Sequence, residues 1–246
     1  MSITEEVPYR HDPLATRDAL AAQTGALRAA VHALTAEDLA RPTRLGDWTV
    51  RELVAHLGIV VDWVPRHLDA PVPDGEPLTL PGWVAVTRTA AATIAAGVRE
   101  YAADAFAGPP AAVAAEFDTA ADALLTVLHG PSSADPDRPI TMRFGPMLLT
   151  DFLVTRLVET VVHADDLAHA LGRTDFPHDP RAVGTVAGLL TAVAAGRSPS
   201  GAAPDTARLD TLTWIRLATG RTAWTDDLDV PGAGTAGLGA LLPLMG

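Results

Sequence analysis

The stretch Phe152-Leu-Val-Thr-Arg-Leu-Val-Glu159-Thr-Val-Val-His163-Ala-Asp-Asp166-Leu sets polar side chains into one of the most apolar segments of the chain. On an α-helix, residues four apart emerge from one face, so Glu159 and His163 point the same way. Burying either of them alone would cost on the order of several kcal/mol. A carboxylate and an imidazole at that spacing suit one shared cation, and the spacing also suits an ordinary hydrogen-bonded pair. Asp166, a turn beyond His163 on the Glu159 stripe, is placed either to orient a ligand from behind or to serve in a local helix salt bridge or cap. The segment is apolar nearly all round, which predicts a helix at the centre of a helical protein.

Along the rest of the chain the hydrophobic period stays near that of an α-helix, and no convincing alternation of period two is present. Asp12-Pro13 opens a first helix that carries Leu20, Leu27, Val31 and Leu34 to about Thr35. Thr49-Val-Arg-Glu52 reads as a capping box, and the helix behind it buries Leu53, Leu57, Val61, Val64 and Leu68 with His56 on the flank of that face. A Pro-rich connection from Pro71 to Pro81 leads to helices over Trp83 to Phe106 and Pro110 to Leu128. Gly130 to Arg138 reads as a loop, and the central helix as running from about Pro146 to Leu171, with Gly172 closing it.

Past Gly172 the character changes, which divides the chain into a bundle over 1–174 and a small C-terminal part over 175–246. In the second part, helices are expected from Asp179-Pro180 to about Ala195 and from Asp210 to Thr219. A short strand is expected within Thr222 to Pro231, and a last short helix towards Leu241. The predicted fold class is mainly α, an up-and-down bundle of four principal helices with an α or α+β appendage.

Composition narrows the chemistry. The chain has 246 residues, no cysteine and a formal net charge of −12, which argues against nucleic acid or anionic lipid as partner. The opening residues do not read as a signal peptide and no apolar run is long enough to span a bilayer, so the expectation is a cytoplasmic protein. Without cysteine there is no protein thiol, and any thiol chemistry must come from a cosubstrate. All 18 basic residues are arginine, which excludes both a Schiff-base lysine and a P-loop and fits a GC-rich genome.

Two motifs together carry a resemblance. Arg41-Pro-Thr-Arg-Leu-Gly-Asp-Trp48-Thr-Val-Arg-Glu-Leu-Val-Ala-His56-Leu, followed about a hundred residues later by Arg156-Leu-Val-Glu159-Thr-Val-Val-His163-Ala-Asp-Asp166-Leu-Ala, resembles the mycothiol-dependent maleylpyruvate isomerase family. The similarity is to its DinB-like metal-binding domain and spans roughly residues 12 to 172. The stretch Asp210-Thr-Leu-Thr-Trp214-Ile-Arg-Leu-Ala-Thr-Gly220-Arg221 is similar to the family's C-terminal, sterol-carrier-like part, here shortened.

The resemblance implies a divalent metal, usually zinc, held by His56, Glu159 and His163, and mycothiol as thiol cosubstrate. Actinobacteria, which make mycothiol, have genomes of the kind the arginine bias suggests. Three protein ligands leave one coordination position open, the arrangement of a catalytic site, where water or an external thiol loses its proton more readily. The implied activity is isomerisation of the maleylpyruvate type or transfer of the thiol to a small electrophile. Arg88, Arg143, Arg156 and Arg221 are candidate clamps for a carboxylate substrate. The alternative is a non-catalytic small-molecule or lipid-binding module that keeps the bundle. By itself, His56 reads as a half-buried helical histidine and becomes a ligand candidate only together with the second motif, and His67, His129 and His169 read as surface or loop residues.

Overall fold

The computed structural model describes residues 10–142, 144–174, 176, 178–199, 201, 203–206, 209–225, 228 and 238–245, with the side chains of 88–96 outside that description. Its helices are α1 (Pro13–His32), α2 (Ala36–Leu39), α3 (Val50–Asp69), α4 (Leu80–Asp104), α5 (Pro110–Leu128), α6 (Leu149–Ala170), α7 (Pro180–Arg197) and α8 (Thr211–Ala218). Strands β1 (Pro139–Met142) and β2 (Gly145–Leu148) pair antiparallel, with Ile140 opposite Met147. The protein is mainly helical, as the apolar periodicity predicts.

Local chemistry sets the helix starts. The Asp12 carboxylate accepts from the Ala15 amide at 2.7 Å ahead of Pro13, and Asp179 accepts from Ala182 in the same way ahead of Pro180. At α3 the Glu52 carboxylate accepts from the Thr49 amide at 2.6 Å, half of the capping box expected there. Gly172, with φ of 65°, ends the last turn of α6 in the left-handed region that a Cβ disfavours.

Four helices close a ring in which α1 touches α5 and α6, and α3 touches the same two from the other side. Helix pairs α1/α5 and α3/α6 run antiparallel. Arg28 reaches Asp122 and His32 reaches Asp118, while His56 near the start of α3 meets Glu159 and His163 late in α6. Helix α4 lies outside the ring against α3. Helix α7 packs on α1 and α6, and α8 packs on α7, so Trp214, Ile215 and Leu190 join the same apolar cluster as Phe152, Leu157 and Val161.

The core consists of two apolar clusters. One takes Val61 to Leu68 of α3 with Leu149 to Val162 of α6, and the other takes Val50 to Leu57 of α3 with Ala164 to Ala168 of α6. His56, Glu159 and His163 lie at the level where the two meet.

Four details differ from the sequence expectations. The β1–β2 hairpin occupies residues read partly as the start of a helix, so α6 begins at Leu149 rather than Pro146. With four residues per strand and Pro139 and Pro146 inside them, the hairpin is too short to show alternation. Helix α2, one turn long with its own Thr35–Asp38 box, also went unread. Residues 222–225 form no strand, and most of the remaining segment to Pro231 lies outside the described residues. The last short helix is a 3-10 turn at Gly239–Leu241.

Candidate metal centre

His56 comes from the second turn of α3, and Glu159 and His163 come from facing turns of α6. Glu159 Oε2 lies 3.2 Å from His56 Nε2 and 3.3 Å from His163 Nε2. One donor atom from each residue lies within 4.8 Å of the others. The two shorter separations are close to the edge, about 3.3 Å, of a tetrahedron whose centre makes bonds of about 2.0 Å. The imidazole rings of His56 and His163 stand edge to face at 4.7 Å between centroids, and the Nε2 atom of each lies beside the same Glu159 oxygen. Two imidazoles and a carboxylate are a donor set that zinc accepts in open, catalytic sites. The residues present therefore fit the metal that the sequence motifs imply.

The electrostatics of the triad follow from burial and pairing. Burial acts to raise the Glu159 carboxyl, but hydrogen bonds from His163 and His56 outweigh it and hold the group well below the usual carboxylate range. Burial also dominates at His56 and pushes that imidazole down, towards the neutral form a metal requires. His163 goes the other way. Burial opposes its charge, yet hydrogen bonds to Asp166 and Glu159 raise it.

Asp166 is fully buried, and its Oδ2 lies 2.8 Å from His163 Nδ1. A carboxylate there fixes the ring tautomer with Nε2 facing the cation position. The carboxylate is held in turn by two arginines. Arg44 Nε donates to Oδ1 at 2.6 Å, and Arg221 Nη2 donates to Oδ2 at 3.0 Å. Next to it, Asp165 accepts from Arg44 Nη2 at 2.6 Å and from Arg216 at 2.5 Å. Arg44 thus bridges both aspartates, while Arg216 and Arg221 bring in the end of α8.

The Arg41–Trp48 motif now has a structural reading. Pro42 and Thr49 form an isolated bridge, and the Thr43 amide donates to the Trp48 carbonyl at 2.8 Å. Gly46 turns the tip at a φ of 62°. This small loop aims Arg44 at the aspartates and lays Trp48 against the His56 ring, 5.3 Å between centroids.

Beside the triad lies a cavity of about 510 Å³ bounded by α3, α4, α6 and the β1–β2 hairpin. His56 and Glu159 reach it, and Trp63, His67, Trp83, Val98 and Arg156 line it. Of the candidate clamps, Arg156 therefore faces the cavity and Arg221 is engaged with Asp166. Arg143 and the side chain of Arg88 lie outside the described residues. His67 is a wall of the cavity, edge-on to Trp63 and Phe152, rather than a surface residue. His129 and His169 are exposed.

Sequence reasoning missed Arg44, Asp165 and Arg216. An arginine in a loop and a second aspartate beside the first carry no periodic signal. Only the doubled Asp165-Asp166 within an apolar helix hinted that cations must come from elsewhere in the chain.

A family model described as the mycothiol maleylpyruvate isomerase N-terminal domain matches residues 20–168. The chain belongs to that family. The matched span includes α3 and α6 with all three triad residues, and it ends just past Asp166. Neither the curated proteins nor the solved structures searched contain a match. Among the described residues no helix is long and apolar enough to cross a membrane.

Proposed function

We propose that this protein is a metal-dependent, thiol-dependent enzyme that uses mycothiol on a small electrophile, as an isomerase of the maleylpyruvate type or as a thiol S-transferase. The observation that carries the reading is the convergence of His56, Glu159 and His163 at the edge of a largely apolar cavity. Membership of the family supports the thiol, and the donor set supports zinc. When bound, such a metal supplies Lewis acidity that brings a coordinated thiol's pKa towards neutrality, which a chain without cysteine would need from a cosubstrate.

The protein's own residues supply the rest. Asp166 keeps His163 in one tautomer, and Arg44 and Arg221 keep Asp166 ionised and in place. Trp63, Trp83 and Val98 exclude water from the space where the electrophile would sit, which strengthens every charge interaction there. Cytoplasmic location is part of the same reading, since mycothiol is an intracellular thiol.

The test is to mix zinc-loaded protein with mycothiol and either maleylpyruvate or a bimane electrophile. Cis-to-trans conversion is followed by absorbance, and thioether formation by mass spectrometry. Turnover of either substrate that requires both zinc and mycothiol is expected. Tight ligand binding without turnover of any electrophile would instead favour a non-catalytic small-molecule module.

A further inference from the structure

Arg156 is the outlier among the buried charges. It is 3% exposed, one turn before Glu159 on α6, and makes no ion pair within contact distance of a described residue, the Glu159 carboxylate acting on it only at longer range. Its Nε donates to Thr155 Oγ1 at 3.1 Å, and that hydroxyl is itself locked by donating to the Phe152 carbonyl at 2.6 Å. The guanidinium lies 5.2 Å from the Trp63 ring centroid and 5.1 Å from that of Phe152. Two aromatic faces and one hydroxyl hold it rigidly, yet its two terminal nitrogens donate to no described residue. A buried, unpaired guanidinium is costly, and a carboxylate ligand satisfies it with two parallel hydrogen bonds.

Much of the remaining cavity wall is apolar, with Ile59, Val60, Trp63, Trp83, Val98 and Met142, and its other polar members, His67, Thr87 and Thr141, include no second arginine. Charge bookkeeping points the same way. A divalent cation on one carboxylate leaves one positive charge, which a thiolate would cancel, so Arg156 keeps a full charge for the second substrate. A second carboxylate would be buried against tryptophan and valine with no second cation among the described lining residues, since burial pushes the His67 imidazole towards its neutral form.

We propose that the cavity recognises a hydrophobic monoanion, with its single carboxylate seated on Arg156 and an aromatic or aliphatic body between Trp63 and Trp83. This rests on the proposed function for its view of the cavity as the electrophile's site, and of the two activities proposed there it favours thiol transfer to a hydrophobic acid over isomerisation of a short diacid.

The test uses three unreactive probes, 3-phenylpropionate, its neutral amide and succinate. Binding is measured by calorimetry and tryptophan fluorescence on metal-free and zinc-loaded protein without thiol. In the wild type the acid is expected to bind at least about tenfold more tightly than the amide and than succinate, with or without zinc. Arg156→Gln is expected to erase the preference for acid over amide, and Arg156→Lys to retain part of it.

Equal affinity for acid and amide in the wild type overturns the proposal without recourse to any variant. So does tighter binding of succinate, which would reveal a second cation. Acid preference that appears only with zinc and survives Arg156→Gln overturns it as well, because the carboxylate would then sit on the metal. Mycothiol uptake is measured on the same preparations. If it fails while acid selectivity persists, the thiol reading falls and the anion pocket stands.

Discussion

Helix α6 carries two sets of buried charge nearly three turns apart, and they are treated in opposite ways. At its C-terminal end, Asp165 and Asp166 are matched by Arg44, Arg216 and Arg221. Towards the middle, Arg156 faces a cavity with aromatic rings for neighbours and no described counter-ion in direct contact, Glu159 acting on it only at longer range. A paired set fixes geometry, here that of His163, whereas an unpaired charge in a cavity is a recognition element whose partner arrives with the ligand. Glu159 stands between the two sets and belongs to the metal triad.

The contrast is broken most directly by removing Arg44. Arg44→Met takes one cation from each aspartate and is expected to destabilise the protein by about 2–3 kcal/mol, as read from urea midpoints. Next in size is Asp166→Asn, expected to lower zinc affinity by about ten- to a hundredfold through the loosened His163 ring, as read in competition with a chelator. If affinity were unchanged, the Asp166 contact would have no part in orienting the ligand.

The paired set also carries a pH signature. Burial acts to raise Asp165, but hydrogen bonds from Arg216 and Arg44 outweigh it and hold its folded pKa below the unfolded value. A depressed pKa stabilises the fold above the unfolded pKa, about 4, and that stability is lost as pH falls through the folded pKa. Denaturation midpoints of the metal-free protein should therefore drop below about pH 4, with a shallower drop in Asp165→Asn. The smallest effect is expected at Arg156. Replacing this unpaired charge by Met should leave stability within about 1 kcal/mol of wild type, or raise it, because nothing charged is left without a partner. A loss as large as that in Arg44→Met would show that Arg156 is paired structurally after all.

The same division explains what could be read from sequence. Helices α1, α3, α5, α6 and α7 announce themselves through apolar periodicity and proline or acidic starts, and Glu159 and His163 announce themselves as polar residues where an apolar helix face should be. The contact of Asp166 with His163 is local to one helix, so its spacing was legible too. Arg44, Arg216 and Arg221 converge on α6 from about fifty to more than a hundred residues away. No single-sequence pattern encodes such pairing. Arg156 was one of four candidate arginines, and only the cavity separates it from Arg221.

The proposed chemistry turns on whether the triad holds a metal. The direct measurement is metal stoichiometry by elemental mass spectrometry on protein purified without chelator and then equilibrated with zinc, wild type beside Glu159→Gln. Near one zinc per chain in the wild type is expected, with loss of the metal in the variant while the helical circular dichroism is unchanged. No bound metal in the wild type, or equal metal in both, would contradict the assignment of His56, Glu159 and His163 as its ligands.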